Sequence, residues 1–130
     1  MTDQTARVLL FSDDIDTRKA VMEGVGARAS KDTPPIEWVE KATKDAVVDA
    51  VRNEDFDALV LDGEATKEGG MSISRELHGT FETVPPVVML IARQQDEWLA
   101  TSFGADVTIP DPLDPIVLQE TLAQVLAGDL

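Results

Sequence analysis

Short runs of unbroken apolar residues alternate with longer segments whose apolar residues recur at helical spacing, and the alternation repeats five times. Residues 8–11 (Val-Leu-Leu-Phe), 58–61 (Ala-Leu-Val-Leu) and 86–91 (Pro-Val-Val-Met-Leu-Ile) are apolar at consecutive positions. That pattern belongs to strands buried on both faces rather than on one. Shorter strands are expected at 36–39 and 106–110. Helices are expected at 14–27, 43–53, 72–78, 95–103 and 116–126, each closing one repeat. A strand buried on both faces needs cover above and below, and parallel strands need long crossovers. Five strand-then-helix units therefore predict an α/β fold: a doubly wound, five-stranded parallel sheet with right-handed crossovers.

Local signals agree with these boundaries. Ser12-Asp13-Asp14 stops the first apolar run with helix-capping residues, and Ala20, Val21, Met22 and Val25 line the helix that follows, with Gly24 and Gly26 near its stop. Thr43 caps the second helix, whose Val47, Ala50 and Val51 share a face. Gly79 and Gly104 are read as the ends of the third and fourth helices. Asp114-Pro115 supplies an N-cap and a first-turn proline for the fifth. The turn-rich stretch 30–35 is too short to separate domains, so residues 1–130 are expected to form a single domain with no output domain. Among doubly wound orders for five strands, the flavodoxin-like (βα)5 arrangement 2-1-3-4-5 is expected. It sets the ends of strands one and three side by side, with Asp13 and Asp62 as neighbours, at the edge where open α/β sheets keep their sites.

Charge narrows the function. Twenty-five Asp and Glu against eleven Lys and Arg give a net charge of −14 over 130 residues, which repels nucleic-acid backbones and anionic membrane surfaces. No direct nucleic-acid or membrane partner is expected. The chain has no cysteine, which excludes disulfides and thiolate metal sites. The first residues carry an acid rather than a basic region, and residues 8–11 are too few for a signal or spanning segment, so a cytoplasmic location is expected. No glycine-rich phosphate loop follows the first strand, and His78, the sole histidine, has no nucleophile arranged around it and reads as a surface residue.

Asp62 closes the third apolar run and opens a glycine-bearing loop. Gly70 stands eight residues after it and Thr66 four after it. Residues 104–115 read Gly-Ala-Asp-Val-Thr-Ile-Pro-Asp-Pro-Leu-Asp-Pro, and residues 89–92 read Met-Leu-Ile-Ala. Over nearly the whole chain these positions resemble the receiver domain of two-component response regulators. The resemblance implies a phospho-accepting Asp at the end of strand three, here Asp62. It also implies an acidic pair at the end of strand one, a Ser or Thr at the end of strand four, and a Lys followed by a cis-capable Pro at the end of strand five. Pro112 matches, but Asp111 stands where the Lys belongs and Ile91 where the hydroxyl belongs. At strand one two registers are open: counting back from Arg18 makes Asp13 the second acid and Ser12 the replacement of the first, whereas a one-residue shift makes Asp13-Asp14 the pair.

These departures bear on the chemistry that the resemblance implies. Phosphorylating an aspartate places a dianionic group on a carboxylate, and catalysis is charge stabilisation by a divalent cation and an ammonium group. Asp111 shifts the local charge by two units the wrong way, and Ile91 lacks the hydroxyl that would bond a phosphoryl oxygen. The expectation is a non-enzymatic, atypical receiver that works as a signalling protein-interaction module, largely independent of aspartyl phosphorylation. The alternative is a Mg2+-dependent phosphoacceptor modified on Asp62 by a histidine kinase. Asp13, Asp62 and the backbone carbonyl of Glu64 offer oxygen ligands for Mg2+; the competing reading makes Asp13 and Asp14 caps and Asp62 a solvated loop acid. Lys67 and Arg93, on loops at the same edge, are read either as partial substitutes for the missing lysine or as solvated surface residues. Expected partners are a histidine kinase or another signalling protein, or a second copy through helix 4, strand 5 and helix 5. On that surface Trp98 is either an exposed anchor or packed on the sheet, and Trp38 is read as core or sheet edge.

Overall fold

The computed structural model describes residues 4–65 and 69–129. The elements run β1 Ala6–Phe11, α1 Ile15–Val25, β2 Ile36–Lys41, α2 Lys44–Asn53, β3 Ala58–Asp62, α3 Gly70–Thr80, β4 Val87–Ile91, α4 Glu97–Ser102, β5 Val107–Pro110 and α5 Pro115–Ala127. All neighbouring strands pair in parallel, in the order β2-β1-β3-β4-β5. This is the expected doubly wound, flavodoxin-like sheet.

Why the apolar runs are unbroken follows from the two cores. Side chains alternate across a strand, so consecutive apolar residues feed opposite faces. Leu9, Phe11, Leu59, Leu61, Met89 and Ile91 meet Val47, Ile73, Leu77 and Ala100 from α2, α3 and α4. Val8, Leu10, Val60, Val88, Leu90 and Ile109 meet Val21, Val25, Leu118 and Leu122 from α1 and α5. β3 and β4 are buried at every position, as strands flanked by neighbours on both sides must be. β2 is an edge strand and is only partly covered, with Trp38 half-buried and its indole Nε1 donating to the Gly26 carbonyl at 3.4 Å.

The caps are the expected ones. Asp14 accepts from the Asp16 N–H, Thr43 from the Ala46 N–H and Asp114 from the Ile116 N–H, satisfying donors that the first helical turns leave open. Three expectations need correction. Helix α3 starts at Gly70, two residues before the expected Ser72, and runs through Gly79 to its C-cap at Phe81, because Gly79 adopts no left-handed conformation that would end it. Residues 94–96 form a single 3₁₀ turn ahead of a shorter α4 rather than its first turn. Ala20 faces solvent, leaving the buried side of α1 to Val21 and Val25.

Candidate functional site

Four strand ends converge on one cavity of about 240 Å³ at the carboxyl edge of the sheet. Asp13, Asp14 and Thr17 line it from the β1–α1 corner, Asp62 and Glu64 from the end of β3, Leu90 and Ile91 from β4, and Asp111 and Leu113 from the loop after β5. The parallel register explains the convergence: Phe11 pairs with Leu61, Asp62 with Leu90, and Ile91 with Pro110, so the residues that follow emerge at one level. Asp13 and Asp62, forty-nine residues apart in sequence, thus border the same space.

Asp62 is 8% exposed and both of its carboxylate oxygens are engaged. The Ser12 hydroxyl donates to Oδ2 at 2.8 Å, and the Glu64 backbone N–H donates to Oδ1 at 2.9 Å. The loop that carries Glu64 is tied down next to β4, where the Gly63 N–H donates to the Leu90 carbonyl at 2.8 Å. A side chain at Gly63 would put a Cβ 2.8 Å from that same carbonyl oxygen, and one at Gly70 would come within 2.9 Å of the Asp62 carbonyl and of Leu61 Cβ. Glycine at both positions lets the loop and the start of α3 close against the end of β3. That is the physical content of the eight-residue offset seen in the sequence.

The remaining site residues fall as follows. Ser12 is fully buried and bonded to Asp62, while Asp14 serves as the N-cap of α1. Ile91 is 1% exposed and presents hydrocarbon where a hydroxyl would otherwise face the cavity. Asp111 is exposed at the cavity rim, its N–H donating to the Ile91 carbonyl at 2.9 Å, and its peptide bond to Pro112 is cis. Glu64 accepts from the Ala92 N–H at 3.4 Å. Arg93 is 65% exposed and pairs with Asp96 at 3.0 Å. Its guanidinium pKa is raised chiefly by that hydrogen bond, with the charges of Asp96 and then Glu64 adding. Arg93 therefore stays cationic but spends its charge on Asp96. Thr66 and Lys67 lie outside the described residues. Thr17, at the wall of the cavity, was not anticipated; its place three residues after the Asp14 cap was the available signal.

Five carboxylates line the cavity, and none of its described lining residues is basic. Like unit charges 4 Å apart repel by about 4 kcal/mol at an effective dielectric near 20, so the lining carboxylates oppose the approach of a further dianion. Among the described residues no group of three or more His, Asp or Glu side chains is gathered to hold a metal ion. Asp13, Asp62 and Glu64 do border one space, but the two Asp62 oxygens already accept from protein donors.

On another surface, α4 leaves Trp98 71% exposed, while Leu99 and Phe103 are half-buried and Ala100 is fully covered. Of the two readings open for Trp98, the structure has the exposed one. At the start of α5, Ile116 and Val117 are also exposed. His78 is exposed, as expected, with Nδ1 against the Ser74 carbonyl at 2.8 Å. Among the described residues no helix is long and apolar enough to cross a membrane.

A parallel β2-β1-β3-β4-β5 sheet with an aspartate at the end of β3 and a glycine eight residues on defines the receiver class of signalling domains, and the comparisons with known proteins agree. An uncharacterized response regulatory protein of Mycobacterium tuberculosis is 39% identical over 120 residues, spanning 92% of this chain and 90% of that protein. The chain belongs to the response regulator family and consists over that span of its receiver domain. The chemotaxis response regulator CheY4 of Vibrio cholerae superposes with a TM-score of 0.77 at 21% identity, covering 95% of this chain and all of that one. A Francisella response regulator receiver domain gives 0.80 at 15% identity, covering 96% and 99%. The chain matches no protein-family model.

Proposed function

We propose that this receiver is an atypical one, a signalling protein-interaction module largely independent of aspartyl phosphorylation. The observation that carries the reading is the cavity lining: Asp111 sits at the lysine position among five lining carboxylates, none of the described lining residues is basic, and both oxygens of Asp62 are bonded. Incubation with acetyl phosphate and Mg2+ followed by intact-mass measurement tests the reading. The expected result is no phosphoryl adduct on the wild type; an adduct that Asp62→Asn abolishes would overturn it. The rival, a phosphoacceptor modified on Asp62 by a histidine kinase, is favoured by the place of Asp62 at the end of β3, and it predicts that adduct.

Trp98 is the candidate anchor for a protein partner, whether a histidine kinase, another signalling protein or a second copy of the chain through α4, β5 and α5. Exposed tryptophans seated in a partner commonly cost 2 kcal/mol or more when truncated, about thirtyfold in Kd. Trp98→Ala is therefore expected to lose captured partners in a pull-down from the native cytoplasm. Folding stability should stay within about 0.5 kcal/mol, as for other surface changes. Capture of every partner at wild-type level removes Trp98 from the interface.

A further inference from the structure

We infer that Ser12 is the positioning residue of the site: its hydroxyl holds the buried Asp62 carboxylate by hydrogen bonding, in place of a charged ligand. The inference rests on the preceding reading for its functional meaning, but its geometry stands apart. Ser12 is fully buried at the end of β1 and each of its polar groups is used. Its N–H donates to the Lys41 carbonyl of β2 at 3.2 Å, and its carbonyl accepts from Arg18 Nη1 at 2.6 Å. Its Oγ accepts from the Asp14 N–H at 3.0 Å and lies 2.8 Å from Asp62 Oδ2.

The direction of the last bond follows from the inventory of donors. An amide can only donate, so Asp14 takes an acceptor site of the hydroxyl. An ionised carboxylate can only accept, so the single hydroxyl proton points at Asp62. With the Glu64 N–H on the other oxygen, the buried charge is met by two charge-assisted hydrogen bonds and no cation among the described partners. Arg18, which holds the Ser12 carbonyl, also donates through Nε to Glu40 of β2 at 3.0 Å. One residue thus ties the start of α1, the edge strand β2 and the end of β3 into a single polar network. A residue lacking the hydroxyl leaves a buried carboxylate oxygen and the Asp14 amide short of partners, while an acid in its place puts two carboxylates within hydrogen-bond distance and calls for a cation between them.

The test compares wild type with Ser12→Ala, Ser12→Thr and Ser12→Asp by residue-resolved hydrogen exchange and by calorimetric titration with Mg2+ alone. Hydrogen bonds to charged groups correspond to factors of about 10–100. Ser12→Ala is expected to speed exchange of the Asp14 and Glu64 amides by about that factor, while Ser12→Thr, which keeps the hydroxyl, stays within about threefold of wild type. Ser12→Asp should bind Mg2+ at least about tenfold more tightly than wild type, as a second carboxylate adds a hard ligand. Unchanged exchange at both amides in Ser12→Ala overturns the inference, as does an unaltered Mg2+ affinity in folded Ser12→Asp. Failure of the phosphorylation-independent reading shows elsewhere, as an acetyl-phosphate adduct on the wild type, and leaves the exchange comparison legible.

Discussion

Combining Asp111→Lys with Ser12→Asp is expected to raise the rate at which acetyl phosphate labels Asp62 by a factor of about 10²–10³, the usual effect of one well-placed electrostatic stabiliser. Asp111 stands at the cavity rim with Asp62 in the same lining, so an ammonium there lies on the path of an incoming phosphoryl group. The change replaces one unit of negative charge by one of positive, and the aspartate at position 12 provides the carboxylate needed to keep a cation beside Asp62. Intact-mass time courses with Mg2+ measure the rate, with Asp62→Asn as the control that must stay unlabelled. A double variant that labels no faster than wild type would show that charge is not what limits the site. Labelling alone is not expected to alter the α4 surface, because Ile91 still presents hydrocarbon to the phosphoryl group. Adding Ile91→Thr should be required before modification changes the chemical environment of Trp98, read by its fluorescence.

The second large effect concerns the platform under the site. Leu61→Ala is expected to cost about 2–5 kcal/mol of folding stability, the range for truncating a fully buried leucine. Leu61 is 0% exposed, pairs with Phe11 and Met89 in the flanking strands, and its Cβ lies against Gly70 at the start of α3. Truncation removes packing on the strand residue that immediately precedes Asp62. Ile116→Ala, at a position 64% exposed, should stay within about 0.5 kcal/mol in the same experiment. Urea unfolding read as a shift of midpoint at constant slope separates the two. Equal midpoints for both variants would mean that β3 is not the rigid support described above.

Much of this was legible in the chain before any coordinates. The unbroken apolar runs announced β3 and β4 because a strand covered on both faces favours apolar side chains at consecutive positions, and Asp14, Thr43 and Asp114 announced helix starts because their side chains complete open first-turn donors. Gly79 misled because a glycine near a helix end signals a stop only when the backbone turns left-handed there, and that depends on what the following residues pack against. The short 3₁₀ turn before α4 was likewise invisible, since residues 94–96 carry no side-chain cap or buried residue to mark it.

Linear order settled the fold class and the identity of the acids at the sheet edge, because periodicity and chain punctuation are local properties, whereas the strand order was an expectation that inter-strand pairing bore out. Tertiary structure alone decided what those acids do to one another. That Ser12 bonds Asp62 and that Trp98 faces outward depend on which side chains meet across fifty residues or across a packed face. Hydrogen bonds and burial are made at those meetings, and no local pattern encodes them.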